Sequence, residues 1–437
     1  MSDSQQTIQI GLLGFGTVGQ GVWKLLESRG EELAKEAGAT LKVSGIVVRD
    51  VNRKREVEVP SGLLTDDPSG ILSDPEVPIV CELAGGIEDA LRWTRVALEA
   101  GKSVVTANKA LLCDHGEELM ALAEEKGGRL FFEASVAGGI PVIKALREGL
   151  VVNRFQRIYG ILNGTSNYIL TRMERERLSF EPVLDAAREL GYVEADESLD
   201  LDGGDAAHKT VILAWLAHRK WVPTSEMLID GIRKVTLDDM NFAAELGYRI
   251  KLIASVQRVG ETGRLALAVR PTLVPLDSLM ADVSEAFNAV RLEGDVAGST
   301  VLIGRGAGQD PTASAVIADL VDATRARIDS VRPRSRLPRA GDATEMAGLD
   351  EICQEYYIRL TVADRSGVLA EVAGAFSKCN ISIATVIQRD CEEDDTASLV
   401  LATHLCSEAD LRKALDILGG DESVLGDFLV CPILDPE

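Results

Sequence analysis

Histidine is scarce in this chain: four in 437 residues, with no HxxH or HExxH spacing. That argues against a zinc enzyme, whose ligands come in closely spaced imidazole and thiolate sets. Seven cysteines, an odd number, are scattered without a CxxC pair. Reduced thiols in a cytoplasmic compartment are therefore expected. Basic side chains are in deficit, 46 against 69 acidic ones, for a net charge of −23. Such a surface repels nucleic acid and anionic membranes, so neither is expected as a partner. No apolar run reaches the roughly 18 residues of a membrane span. The opening MSDSQQT lacks the apolar core of a signal peptide. What remains is an ordinary globular balance, 46% hydrophobic and 26% charged. The length exceeds what one hydrophobic core supports, so two or three domains are expected.

The clearest signal comes first in the chain. Residues 8–13 form an apolar strand candidate, and GFGTVGQG follows at once. Gly14, Gly16 and Gly19 fit G-x-G-x-x-G, and Val18, Val22, Trp23, Leu25 and Leu26 continue with helical spacing. Between a strand and a helix this is a dinucleotide fingerprint. Gly14 allows the turn, Gly16 lets backbone approach a pyrophosphate, and Gly19 permits close helix–strand packing. Phe15, Thr17 and Val18 complete the phosphate-facing turn. The second strand, 41–48, ends in Arg49 where an NAD site usually carries Asp or Glu. Arg49 pairs with a 2′-phosphate instead, with Arg53 and Lys54 nearby. NADP is expected, and the adjacent Asp50 leaves NAD open.

Strand–helix alternation continues to residue 132, predicting a doubly wound parallel sheet of Rossmann type. Gly85, Gly86 and Lys109 follow strand ends and belong beside the nicotinamide. EASVAGGIP (133–141) is a small-residue turn, read either as a crossover between domains or as carbonyls converging on a hard cation. From 154 the character changes. A strand leads into Asn163-Gly164-Thr165-Ser166-Asn167, a helix start whose amides suit a carboxylate. Strands near 264–273, 286–292 and 300–303 predict an open sheet, an α+β second domain and a dimer surface. GRGAGQDPTASAV (304–316) is a second glycine turn running into a helix, expected to return to the first domain, with Gly308 facing the cofactor. An Arg- and Pro-rich linker follows. Residues 356–434 order as βαββαβ, a ferredoxin-like module. The domains are thus 1–137 completed by 304–330, then 138–303, a linker at 331–353, and 354–437.

GYVEADESLDLDGGDAAHK (191–209) concentrates Glu194, Asp196, Glu197, Asp200, Asp202 and Asp205 ahead of one lysine, Lys209. Asp205 and Lys209 are four apart, on one face of an apolar helix. A lysine ringed by carboxylates is a proton donor or acceptor candidate. A solvated acidic loop with a surface ion pair is the other reading of these residues alone.

Taken in order, GFGTVG, TANKALL, EASVAGGIP, NGTSNYIL, the 191–209 stretch and GRGAGQDPTASAV resemble the homoserine dehydrogenase family over almost the whole chain. The C-terminal module resembles an ACT domain, through DRSGVLA and Asn380-Ile381-Ser382-Ile383. Glu197 departs from the family, which commonly has proline after EAD; that bears on loop stiffness. The resemblance implies NAD(P)-dependent interconversion of L-homoserine and L-aspartate 4-semialdehyde, on the route to threonine, methionine and isoleucine. By the same resemblance Lys209 is the proton donor, and Lys109 lies near nicotinamide and substrate. Asp200 and Asp205 position the substrate, Glu194 grips its amine, and Gly164 and Thr165 hold its carboxylate. A structural sodium ion is implied at Glu133, Val136, Gly138 and Ile140, mostly through carbonyl oxygens. Threonine is implied as effector of the ACT module, at Asp364, Gly367 and Asn380. A homodimer or homotetramer is expected, and no kinase segment precedes the first strand, so a monofunctional enzyme. The rival readings are another NADP-linked amino-acid dehydrogenase and a non-catalytic Rossmann–ACT amino-acid sensor. Cutting the chain after about residue 330 is expected to leave activity and abolish the threonine response.

Overall fold

The computed structural model describes residues 6–193, 197–260, 263–328, 345–390, 396–426 and 428–435. Glu194, Asp196 and most of the expected linker lie outside them. Two compact units emerge, cut differently from the expected domains. One comprises 1–154, 208–224 and 302–342; the other comprises 155–207, 225–301 and 343–437.

In the first unit, six parallel strands build one sheet: β1 (Thr7–Leu13), β2 (Thr40–Val47), β3 (Leu64–Thr65), β4 (Ile79–Glu82), β5 (Ser103–Thr106) and β6 (Arg129–Phe131). Their order is β3-β2-β1-β4-β5-β6, that of a dinucleotide-binding fold, which puts the switch point between β1 and β4. These short strands are near-continuous apolar runs because helices cover both faces. The helices are α1 (Thr17–Ala37), α2 (Ser69–Ser73), α3 (Glu88–Glu99), α4 (Lys109–Lys126) and α5 (Val142–Lys144). The helix α11 (Gln309–Ile328) returns late in the chain to join this core through Ala313, Val316, Leu320 and Ala323. A methyl on Gly21 would meet Gln309 Cγ at 2.8 Å and Ala313 Cβ at 2.9 Å, so the glycine sets how closely α1 and α11 approach.

The second unit holds an eleven-stranded sheet with the main order β12-β11-β7-β9-β10-β17-β13-β15-β14. Its first strands are β7 (Phe155–Ile161), β8 (Leu228–Ile229), β9 (Tyr248–Val259), β10 (Arg264–Pro275), β11 (Phe287–Gly294) and β12 (Gly298–Arg305). β9, one of the two longest, was not expected from the sequence. The helices are α6 (Gly164–Glu176), α7 (Phe180–Glu189), α8 (Ser198–Leu201), α9 (Gly204–His218), which crosses the boundary between units, and α10 (Leu237–Glu245). The C-terminal module has the expected βαββαβ order: β13 (Cys353–Ala363), α12 (Val368–Lys378), β14 (Ile383–Asp390), β15 (Thr396–Thr403), α13 (Glu408–Gly419) and β17 (Leu429–Ile433), with β16 (Cys406–Ser407) as a short extra pair.

The module does not have a sheet of its own. β17 runs beside β10 through Leu273 and Ile433, and Leu434 N–H donates to Leu273 O at 2.8 Å. Buried charges close the seam. Arg270 donates to Glu408 at 3.0 Å and to Asp230 at 2.6 Å, and Tyr356 donates to Glu408 at 2.8 Å. Arg359 and Tyr357 donate to the fully buried Asp239, at 2.6 and 2.9 Å.

Candidate active site

The β1–α1 turn is built for a close approach of backbone to ligand. Gly14 sits at φ +105°, and a Cβ there would lie 2.5 Å from the Leu83 carbonyl oxygen. Gly14 N–H donates to Val47 O at 3.0 Å, tying the turn to the end of β2. A Cβ on Gly19 would meet Gly14 O at 2.6 Å, whereas one on Gly16 meets nothing within 4 Å. Gly16 is the N-cap of α1 and no side chain caps that end. The first-turn amides therefore lie uncapped by the N-cap residue, at the positive end of the helix dipole and beside the open position at Gly16. The cradle fits a dinucleotide pyrophosphate. Phe15 is buried below it, edge-on to Trp23 with centroids 6.4 Å apart.

Around the switch point, Arg49 follows β2 and reaches the Gly85 carbonyl at 3.4 Å. Gly85 has open space where a Cβ would stand. Glu82, fully buried at the end of β4, accepts from Thr106 Oγ1 at 2.7 Å and from Ala84 N–H at 2.9 Å. Burial pushes its carboxyl up to about 7, against those hydrogen bonds. Thr106 Oγ1 accepts from Asn108 N–H at 3.0 Å, and Asn108 caps α4 by accepting from Leu111 N–H at 3.0 Å. This chain of bonds sets Lys109, the first residue of α4, beside the strand ends. Neither Glu82 nor Asn108 was singled out from sequence, although an Asn before a helix is an N-cap signal. Gly308, at φ +113°, precedes α11.

The 133–141 turn lies in the same unit. Glu133 is buried and accepts from Ile143 N–H at 3.0 Å and Lys144 N–H at 2.9 Å; burial raises it to about 7. Its carboxylate caps α5, leaving the main-chain oxygens of Glu133, Val136, Gly138 and Ile140 as what the turn offers a hard cation. Ala137 and Gly138 both have positive φ, 55° and 51°. A Cβ on Gly138 would lie 2.4 Å from Gly306 O.

In the second unit, Asn163 is the organising residue, and sequence reasoning did not give it a role. Its Oδ1 accepts from Ser166 N–H at 2.7 Å and caps α6. Its Nδ2 donates to Asp200 Oδ1 at 2.7 Å and to Asp205 Oδ2 at 2.9 Å. One buried amide thus brings together two of the predicted carboxylates. Ser166 Oγ adds a bond to Asp200 O at 2.6 Å. Gly164 opens α6, and Thr165 Oγ1 donates to Tyr192 O at 2.9 Å. Two other acids of the stretch are paired with arginines. Glu197 accepts from Arg188 at 2.7 Å and Arg233 at 3.2 Å, and Asp202 from Arg233 at 2.7 Å. Arg188 and then Arg233 hold the Glu197 carboxyl below its usual range.

The helix α9 carries Asp205 in its first turn and Lys209 one turn later. Asp205 is 6% exposed and Lys209 8%. Past Lys209 the helix is buried through Val211, Ile212, Leu213 and Trp215, and Trp215 packs against Trp221 with centroids 5.1 Å apart. Lys209 is therefore a buried cation on an apolar helix, not a solvated surface group. In the C-terminal module, Asp364 follows β13, Gly367 (φ +99°) caps α12, and Asn380 follows α12 at φ +58°.

Comparison with known proteins agrees with this layout. Residues 141–321 match the homoserine dehydrogenase family profile, 14–133 the homoserine dehydrogenase NAD-binding domain, and 356–420 the ACT domain. The homoserine dehydrogenase of Pseudomonas aeruginosa is 42% identical over 426 residues, covering 96% of this chain and 97% of that one. That of Bacillus subtilis is 37% identical over 427 residues, covering 96% of each. The crystal structure of a homoserine dehydrogenase from Thiobacillus denitrificans superposes with a TM-score of 0.91 at 39% identity, covering 99% of each chain. A hyperthermophilic archaeal homoserine dehydrogenase in complex with NADPH gives a TM-score of 0.61 at 29% identity, over 73% of this chain and 98% of that one. With relatives of about 40% identity matching nearly all of its length, the chain belongs to the homoserine dehydrogenase family, NAD(P)-dependent oxidoreductases acting on a CH–OH group.

Proposed function

We propose that the chain interconverts L-homoserine and L-aspartate 4-semialdehyde, with NADP as the preferred cofactor. The observation that carries this is Asn163 gathering Asp200 and Asp205 at the head of the helix that bears Lys209. A nicotinamide held by the β1–α1 turn would supply hydride chemistry at the aldehyde carbon, in either direction. Charge then develops on the aldehyde oxygen as its π bond opens. The Lys209 ammonium stabilises that charge and donates the proton that completes the alcohol. In oxidation the neutral amine of Lys209 takes the hydroxyl proton as the hydride leaves. Lys109, at the strand ends of the first unit, is assigned a role near the nicotinamide. Glu194 receives the substrate ammonium, and the amides of Gly164 and Thr165 receive its carboxylate. The test is homoserine-dependent reduction of NADP by the purified chain, beside a panel of other amino-acid substrates. No turnover of homoserine, or faster turnover of another amino acid, overturns the assignment.

Arg49 carries the cofactor preference. A guanidinium paired with the 2′-phosphate contributes about 1.5–3 kcal/mol. Arg49→Ala is expected to raise the KM for NADP about tenfold or more while leaving that for NAD within about twofold. Equal changes for both cofactors would remove the preference from this residue.

Sodium is read onto the carbonyls of Glu133, Val136, Gly138 and Ile140, and threonine onto the ACT turn at Asp364, Gly367 and Asn380. Supply of threonine, methionine and isoleucine precursors, a cytoplasmic location and a homodimer or homotetramer complete the reading. No helix among the described residues is long and apolar enough to cross a membrane.

A further inference from the structure

Lys251 lies in the middle of β9 and is 1% exposed. Its ammonium donates to Asn167 Oδ1 at 3.1 Å and to Val283 O at 2.6 Å. Both partners are neutral oxygens, and among the described residues no carboxylate pairs with it. The nearest acids are engaged by arginines nearer the surface. Glu174 and Asp282 pair with Arg249, and Glu285 with Arg175. Burial, reinforced by Arg249, pulls the ammonium down to about 8, so it is mostly charged at neutral pH.

The location makes this charge more unfavourable still. Asn167 is the fourth residue of α6. A cation near a helix N-terminus opposes the dipole, and a buried cation without an anion is strongly disfavoured. Folding alone gives no reason to keep a lysine here, because an apolar residue of similar length fits with less penalty. Both penalties fall when an anion docks at the start of α6.

The surroundings convert the charge into geometry. Asn167 Nδ2 donates to the carbonyls of Val283, Glu285 and Phe287, at 3.2, 2.9 and 3.2 Å. Glu285 is held at φ +57°. The next carbonyl, that of Ala286, lies 3.1 Å from where a Cβ on Gly164 would stand. The buried Lys251 and Asn167 and the partly exposed 283–287 segment therefore form one support beneath the first turn of α6.

We propose that Lys251 is the buried counter-charge for the substrate carboxylate, a positioning residue that acts through Asn167 and the start of α6 without touching the substrate. This rests on the reading that the carboxylate binds at Gly164 and Thr165. It explains why a costly cation is kept where little solvent reaches it and no carboxylate pairs with it directly, and it assigns selection for an α-amino acid over an amino alcohol partly to a residue outside the binding loop.

The experiment uses the full chain with saturating NADP. It compares the KM for homoserine with the inhibition constant of 3-aminopropan-1-ol, which is homoserine without its carboxylate. Lys251→Met is expected to raise the homoserine KM about tenfold, leave kcat within a few-fold, and leave the inhibition constant of the amino alcohol and the KM for NADP unchanged. Its melting temperature is expected to hold or rise. Lys251→Gln keeps a donor toward Asn167 without the charge, and is expected to show the same loss; it also carries the test if the methionine variant does not fold. Wild-type homoserine KM in either variant overturns the proposal, the glutamine result doing so by reducing Lys251 to a hydrogen-bonding strut. Gly164→Ala separates the underlying reading. It should weaken homoserine but not the amino alcohol, and equal effects on both would displace the carboxylate from the α6 start whatever Lys251 does.

Discussion

Lys209→Ala is expected to lower kcat by about 10³-fold, within the range for loss of a general acid, while NADPH still binds normally. The prediction separates two functions that the chain keeps apart. The nucleotide cradle depends on Gly14, Gly16 and the α1 amides, none of which involves Lys209. The lysine is 8% exposed on a helix whose following turns are apolar and buried. An ammonium in such a setting stabilises developing charge more than it would in water, because little solvent screens it. An alanine there leaves the oxygen of the aldehyde to draw its proton from water. Steady-state turnover in both directions, with NADPH affinity from fluorescence titration, checks the result. A variant that turns over within tenfold of the parent removes Lys209 from the proton-transfer step. A variant that also loses NADPH would point to a structural lysine instead.

Glu408→Ala is expected to destabilise the second unit by about 3 kcal/mol, a fall in melting temperature of roughly 6–12 °C. Glu408 is 2% exposed and accepts from Arg270, Tyr356 and Arg412. Removing it strips the buried Arg270 of one of two carboxylate partners and leaves the Tyr356 hydroxyl without its acceptor. Burial alone raises the Glu408 carboxyl, but Arg270, Tyr356 and Arg412 together hold it below its ordinary value of 4.5. A carboxyl lowered in the folded state stabilises fully above its ordinary value, and that contribution disappears as pH falls through the folded-state value. The loss in the alanine variant should therefore be largest near neutral pH and shrink below about 4.5. Melting curves across that range check both size and sign. A uniform shift at all pH values would assign the effect to packing and not to the charge.

The same seam alters what truncation should do. Cutting after residue 330 removes β17 from beside β10, and takes the partners Glu408, Tyr357 and Arg359 from Arg270 and Asp239. Arg270 on β10 would then keep only Asp230, and Asp239 on α10 only its Thr236 cap, with both newly open to water. Loss of stability is thus expected together with any loss of effector response, and a truncated chain is a poor probe of regulation. A substitution at Gly367 or Asn380 leaves the seam intact and is the cleaner one.

The features legible from sequence are those with local physical requirements. A turn at φ +105° with a carbonyl 2.5 Å away admits only glycine, so Gly14 announces its own geometry. Continuous apolar strand runs alternating with period-3.6 helices sufficed for the parallel sheet, and period-two and period-3.6 patterns for the βαββαβ order, because each element's own side chains decide which of its faces are buried. The Asp205–Lys209 spacing put both on one helix for the same local reason. The tertiary structure decided what depends on distant partners. β9 was overlooked because Arg249 and Lys251 interrupt its apolar run, and only the fold supplies Glu174, Asp282 and Asn167 to receive those charges. Asn163 is only part of a helix start in the sequence until folding brings Asp200 and Asp205 to its side chain. The C-terminal module reads as autonomous until β17 meets β10, since an edge strand does not encode which sheet it will extend. Hydrogen bonding and burial of charge act between residues far apart in sequence, and in this chain they tie the C-terminal ACT module and the Lys251–Asn167 cluster to one sheet.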